Sequence, residues 1–307
     1  MSRPSVQGPG SRAQRALALV PPALAIALGA AAAMSARIAD AAPPAPKTMR
    51  LYVFDCGMLT PTKEGVERYH ITVAEAGETR MPVPCFLIVH PRGTLLWDTG
   101  VIPDEIVAAQ KQGARGNVNP TVAALVRRTL KSQLAQIGYA PADIEYVAVS
   151  HAHIDHTANL NEFAASTWLT RPAERDFMWA ENNPRVNPSF YTRLKNSPVK
   201  LIESDEYDVF GDGQAIIKAA PGHTPGHQVL ILQLVRSGRI MLGGDLYHYP
   251  PERTLHRPPP DNEFNVQASA ASRATIEDYL ARTKALLWIE HDFGANAKLR
   301  KSPAYYD

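Results

Sequence analysis

Three imidazoles and a carboxylate fall within six residues at His151-Ala152-His153-Ile154-Asp155-His156. Imidazole nitrogen and carboxylate oxygen suit Zn²⁺ and related borderline divalent metals. The run directly follows residues 144–150, an apolar, strand-like stretch. A strand ending in a tight loop can turn His151 and His153 one way and Asp155 and His156 the other, which would serve two metal ions side by side. Three more donors, His223, Asp245 and His291, each come just after an apolar, strand-like run. A loop of merely solvated histidines would not require that repetition.

The surrounding pattern supplies the elements that would hold these residues. Residues 50–55 read as a first strand, and residues 84–90 and 94–98 as a hairpin turned by Pro91-Arg92-Gly93. Apolar positions Val122, Leu125, Leu130, Leu134 and Ile137 have helical spacing, so a helix is expected over residues 121–137, stopped by Gly138. Residues 143–150 form a strand into the candidate metal loop. A helix starts within residues 157–163, followed by a short strand at 167–169. Another helix covers residues 172–180, with Pro172 in its first turn. Residues 182–198 are polar and proline-punctuated, an excursion over the site. Strands follow at 214–220, 228–235 and 239–242, then an amphipathic helix at 272–284 and a last strand at 286–290. Strands with intervening helices argue for sheets covered by helices. Pattern alone does not separate one doubly wound sheet from a two-sheet sandwich.

The chain has 307 residues, 45% hydrophobic and 20% charged, enough for a full core in one domain. A net charge of +2 gives no strong field toward nucleic acid or an acidic partner. Arg3, Arg12 and Arg15 form a basic start, residues 16–33 are Ala/Leu-rich, and Ala39-Asp40-Ala41 offers a small-x-small cleavage site. Residues 1–41 therefore read as a secretory signal peptide, 42–48 as linker and 49–307 as the functional domain. The apolar run is broken by Pro21-Pro22 and is marginal for a span of about 20 residues, so no stable membrane insertion is expected after processing. The expected location is periplasmic or secreted. No motif indicates oligomeric state, and a homodimer stays open.

The metal motif, with His156-Thr157-Ala158-Asn159, Pro221-Gly222-His223-Thr224-Pro225-Gly226-His227-Gln228 and Glu290-His291-Asp292, resembles the metallo-β-lactamase superfamily. Within it, Leu51-Tyr52-Val53-Phe54, Cys56-Gly57, residues 81–87 and Leu96-Trp97-Asp98-Thr99-Gly100 are similar to the N-acyl-homoserine lactonase family. The resemblance implies an αββα sandwich with a binuclear site at one edge between two mixed sheets. It assigns His151, His153 and His223 to one Zn²⁺, Asp155, His156 and His291 to a second, and Asp245 to both. Other first-row divalent metals would suit the same donors. A hydroxide between the ions would attack the carbonyl of a small-molecule lactone, most readily an N-acyl-homoserine lactone. Asp155 or Asp245 would shuttle the proton. The consequence would be quenching of quorum signals outside the cytoplasm.

Asp98, in a buried Asp-Thr-Gly turn, reads as orienting a ligand imidazole through its free N–H, and His227 reads as structural. The family usually has a tyrosine three residues after the bridging Asp, and this chain has His248 there, between Tyr247 and Tyr249. Period-two alternation sends the two tyrosines to one side and His248 to the other. Either His248 replaces the phenol as donor, or a bulge presents a tyrosine. Contacts to an acyl chain are expected from Met58, Phe86 and residues 182–198. Cys56 and Cys85 are expected as buried free thiols, because the lactonase-like segments carry cysteine without a bridge, although an oxidising compartment would permit one. Other readings are a β-lactamase or another carboxylic ester or organophosphate hydrolase on the same site, and a metal- or signal-binding protein without turnover.

Overall fold

A computed structural model describes residues 42–110 and 112–307; the expected signal segment, residues 1–41, lies outside the described residues. In chain order the strands are β1 (Arg50–Pro61), β2 (Met81–His90), β3 (Gly93–Trp97), β4 (Ala114–Asn119), β5 (Val122–Val126), β6 (Tyr146–Ala148), β7 (Thr167–Thr170) and β8 (Val199–Leu201). They continue as β9 (Glu206–Asp208), β10 (Ala215–Ala219), β11 (Gln228–Leu234), β12 (Gly238–Leu242), β13 (Leu286–Trp288) and β14 (Tyr305–Tyr306). One sheet runs β4-β5-β1-β2-β3-β6-β7-β8, with β14 also paired to β1, and the other runs β13-β12-β11-β10-β9. Both are mixed: β1 and β2 pair antiparallel whereas β3, β6, β7 and β8 pair parallel, and β12 and β13 pair parallel beside antiparallel β11.

Period-two alternation explains how both faces of these strands are apolar. In β1, Leu51 and Val53 join Ile88, Leu95 and Trp97 in the core between the sheets, where they meet Ile217, Leu230, Leu232 and Ile240 of the second sheet. Their neighbours Tyr52 and Phe54 point the other way, toward Leu130, Leu134 and Met178 of the covering helices. On the far face of the second sheet, Val229, Ile231 and Met241 pack on Ile276 and Leu280 of the helix Val266–Thr283. The layers are thus helix, sheet, sheet, helix, as the resemblance implies.

Three expectations need correction. Residues 121–137 are not one helix: Val122–Val126 is a strand paired with β1 and β4, and the helix is Leu130–Gln136, capped by the Thr129 side chain. The apolar spacing at Val122 and Leu125 was read at the wrong period, and edge pairing with β1 decided the outcome. Cys56 and Cys85 form a disulfide rather than two free thiols. Phe54 pairs opposite Cys85, so Cys56, two residues on and on the same face, lies diagonal to Cys85 just where the register shifts between Asp55 and Met58. The helix expected over residues 272–284 starts earlier, at Val266, where the Asn265 side chain accepts from the Ala268 amide.

Candidate metal centre

The strand directions bring the donors to one edge. β10, β12 and β13 run the same way in the second sheet, so their C-terminal ends deliver His223, Asp245 and His291 to a common rim. In the first sheet β6 ends beneath the same rim and leads to His151 and His153, with Asp155 and His156 on the single turn Ile154–Thr157. Two glycines permit the close approach. A Cβ on Gly244 (φ +49°) would lie 2.7 Å from the Ser150 Cβ and 2.8 Å from the His227 ring. A Cβ on Gly222 (φ +140°) would lie 2.2 Å from the Ser269 amide nitrogen.

All seven expected donors converge in two groups. His151 Nε2 and His223 Nε2 each lie 2.9 Å from His153 Nδ1, and 3.6 and 3.4 Å from Asp245 Oδ2. His156 Nε2 and His291 Nε2 lie 3.4 and 3.1 Å from Asp245 Oδ1, and 3.8 and 3.7 Å from Asp155 Oδ2. Each group can hold one metal ion. Asp245 turns one oxygen toward each group, the disposition a bridging carboxylate needs.

The rest of each imidazole shows that the donor set fits a cation. His291 Nδ1 donates to the Pro82 carbonyl at 2.8 Å, and His223 Nδ1 to Glu263 at 3.1 Å. His151 Nδ1 faces the Ser150 hydroxyl at 3.1 Å. His156 Nδ1 faces the same hydroxyl at 3.1 Å, Asp98 Oδ2 at 3.3 Å and Glu290 Oε1 at 3.4 Å. With Nδ1 occupied, these four rings present their Nε2 lone pairs inward, whereas His153 turns Nδ1 inward. Among the described residues, His156 Nε2, His291 Nε2 and Asp245 Oδ1 are buried with no hydrogen-bond partner, a costly state that a bound cation would remove.

Electrostatics point the same way. Burial, then the neighbouring histidines, hold His151 and His153 neutral, well below the usual histidine range. Burial opposes charge on His223 too, but Glu263 and Asp245 outweigh it and lift its pKa to about 10. Burial likewise disfavours the His156 imidazolium, yet Glu290, Asp245 and Asp98 raise it well above the ordinary value. Burial alone would raise Asp245, and His291, His248 and His156 pull it far down instead. Carboxylates that stabilise protons at these nitrogens would stabilise metal cations in their place.

His227 is structural, as expected. Its Nδ1 donates to the Ala220 carbonyl at 3.0 Å and its Nε2 accepts from the Asp245 amide at 3.1 Å, so no lone pair is left for a metal. Burial, with His223 beside it, lowers its pKa to about 3 and keeps it neutral. Asp98 accepts from the Ser150 amide at 2.7 Å and so braces the metal loop.

At the substrate side, His248 lines the cleft and Tyr247 and Tyr249 do not, which corrects their expected place at the site. The chain bends here instead of alternating as a strand, and the two tyrosines pack in different places, Tyr247 with Ile276 and Leu280 and Tyr249 in the cluster of Tyr69 and Met81. The Tyr247 hydroxyl donates to Glu277 at 3.2 Å, and the Tyr249 hydroxyl donates to the Thr79 carbonyl at 2.8 Å from the core. His248 Nε2 sits 3.2 Å from Asp245 Oδ2, its amide donates to Glu252 at 2.6 Å, and its ring rests on Tyr69 with centroids 4.1 Å apart. Of the expected acyl contacts, Pro184 and Arg185 of the 182–198 segment do line the cleft. Phe86 lies in the inter-sheet core, and Leu59 takes the wall position expected of Met58.

Several residues at the site carried no local signal. Glu174 accepts from the Ala152 amide (2.7 Å), the Thr224 hydroxyl (2.8 Å) and the Gly226 amide (2.7 Å), and so ties the His151–His153 loop to the His223 loop. Glu263, Tyr69 and Arg68 come from distant segments with no motif around them.

An edge-sited pair of histidine–carboxylate donor groups between two helix-covered sheets defines a metal-dependent protein of the αββα type. Residues 79–283 match the family model of the metallo-beta-lactamase superfamily, and the chain belongs to that superfamily. It is 28% identical over 266 residues to the N-acyl homoserine lactonase AttM of Azorhizobium caulinodans, covering 84% of this chain and 99% of that one. It is 26% identical to an N-acyl homoserine lactonase of Bacillus cereus, over 76% of this chain and 90% of the other. Among solved structures, an N-acyl homoserine lactone hydrolase with the product N-hexanoyl-L-homoserine at its catalytic metal centre superposes with a TM-score of 0.70 at 22% identity, covering 84% and 99% of the two chains. The dizinc quorum-quenching lactonase AidC superposes with a TM-score of 0.58 at 18% identity, over 84% and 94%.

Proposed function

We propose that this chain is a binuclear metal-dependent hydrolase that opens the ring of N-acyl homoserine lactones. The observation that carries the reading is Asp245, with one oxygen toward each of two complete donor groups at the floor of an open cleft. The names of the relatives supply the substrate class. His151, His153 and His223 would hold one ion, Asp155, His156 and His291 the other, and Asp245 both; two Zn²⁺ suit these donors. When bound, the cations supply an acidified water as nucleophile and Lewis-acid polarisation of the ring carbonyl.

The chain's own residues do the rest. Asp155, which lines the cleft, can take the proton from the attacking water on the carboxylate oxygen not turned to the donor group and return it to the leaving ring oxygen. His248 presents Nε2 to the cleft and can donate to the lactone oxygen, with Glu252 and Tyr69 fixing its ring. Tyr69, Leu59, Met81 and Val122 close one side against water.

Ring opening by the zinc-loaded chain from Ala42 onward tests this, with a cephalosporin, an aryl ester and an organophosphate triester as comparators. Efficient lactone turnover, abolished by chelation and by His153→Ala, supports the reading. Slow lactone turnover beside fast hydrolysis of a comparator would replace the substrate class and keep the metal site. Lactone binding that survives Asp245→Ala, without any wild-type turnover, would instead favour a signal-binding protein.

We further infer that residues 1–41 are a signal peptide and that the enzyme acts outside the cytoplasm. The basic start, the apolar stretch and the Cys56–Cys85 bridge support this, since disulfides persist in oxidising compartments. Cell fractionation with mass determination of the mature N-terminus is the test.

A further inference from the structure

The cleft above the donor groups has an apolar part, formed by Leu59, Met81, Val118 and Val122. It also holds two arginines, Arg68 and Arg185. Among the described residues neither side chain forms an ion pair, although both are half-buried. Arg68 Nη2 donates to the Tyr69 hydroxyl at 3.1 Å, which fixes the guanidinium beside the ring that packs, tilted by 35°, on His248. Arg68 Nε is buried and has no acceptor. Arg185 lines the same cleft as His153 and His223. The carboxylates of the same cleft, Asp155, Asp245 and Glu263, are all turned to imidazoles, so that Arg68 meets the Tyr69 ring at 4.9 Å and, among the described residues, neither guanidinium has a carboxylate partner.

A buried donor without an acceptor is unfavourable, and a guanidinium fork matches a carboxylate better than any other common group. A neutral alkyl arm would satisfy neither arginine. We propose that Arg68 and Arg185 bind a carboxylate on the acyl arm of the substrate, so that the preferred lactones are acylated by dicarboxylic rather than simple fatty acids. This rests on the lactonase reading above and names the arm that reading leaves open.

The test compares N-hexanoyl-homoserine lactone with its ω-carboxyl counterpart, N-(5-carboxypentanoyl)-homoserine lactone, on the zinc-loaded chain. The expected result is a kcat/KM at least about tenfold higher for the ω-carboxyl compound, mostly through KM because the contact is remote from the reacting bond. The preference should shrink with added salt. Arg185→Glu should invert it, and Arg185→Lys should retain part of it. Calorimetric binding of the two ring-opened products provides a readout independent of turnover, and the ω-carboxyl product should bind about tenfold more tightly. Equal kcat/KM and equal product affinity, or an equal response of both compounds to Arg185→Glu, would overturn the proposal and mean that the arginines only cover the wall with their stems. Absence of turnover on both lactones would count against the lactonase reading, while the product affinities would still decide for or against the carboxylate subsite.

Discussion

At the scale of single residues, the site separates side chains that offer an electron pair from those that aim it. The seven inward donors sit in short motifs or directly after strands, and their types and positions were readable in the sequence. The residues behind them were not, because each arrives from a distant segment. Glu263, which receives the proton of His223 Nδ1, lies 40 residues beyond it. Glu263→Gln is expected to weaken zinc binding by about tenfold to a hundredfold while leaving the fold intact, measured by competition with a chromophoric chelator. Unaltered affinity would show that Glu263 does not tune the imidazole. His248 is a different case. Alternation predicts both tyrosines on one side, yet the chain bends here, Tyr247 and Tyr249 pack in different clusters, and His248 alone of the three lines the cleft. If its Nε2 is a donor to substrate, His248→Ala should lower kcat by about a hundredfold with zinc content preserved, and His248→Tyr should restore a large part. A drop in zinc content equal to the loss of activity would make it a metal ligand instead.

At the scale of elements, the strands with strict alternation were legible, and the failures have physical causes. Residues 121–137 contain apolar positions compatible with a helix, but β1 runs on past its bulge and offers Met58–Pro61 as a pairing edge, which the segment Val122–Val126 takes. A tertiary partner overrode the local pattern. The disulfide joins diagonal positions of the β1–β2 pair, and the register that makes them neighbours is not written in either local segment. The bridge closes a loop of 29 residues, so its removal in Cys56→Ser/Cys85→Ser should cost about 3–4 kcal/mol. Urea unfolding of the variant and of the oxidised chain measures this. β2 also carries Pro82, whose carbonyl accepts from His291, so loosening this strand should affect the second metal group before the first.

At the scale of the whole molecule, composition and strand–helix alternation established a layered α/β protein, and only the motif-bearing segments chose the two-sheet sandwich. The donors meet because three strands of one sheet and one of the other end at a single rim, a three-dimensional fact that no local pattern encodes. Global stability carries its own pH signature away from the site. Burial holds Lys301 at a pKa of about 8, below the ordinary 10.5, with Nζ donating to Asn296 Oδ1 at 2.7 Å. Below pH 8 the ammonium is charged in both folded and unfolded chains, and the folded state bears its desolvation in full. Between about 8 and 10.5 the folded chain releases this proton first, the unfolded chain binds more protons, and this contribution to stability rises with pH. Lys301→Met should therefore raise Tm at pH 7, with a gain that fades as pH approaches 10, read from melting curves of the two chains across that range. A gain independent of pH would trace the effect to packing instead of charge.

The central claim joins two complete donor groups through Asp245 to the opening of a lactone ring. A single titration tests it most directly: initial rates of N-hexanoyl-homoserine lactone ring opening by the metal-free chain as zinc is added back. The account predicts negligible rate without zinc and a rise that saturates at two equivalents per chain. Saturation at one equivalent, or no ring opening at any zinc loading, would contradict it.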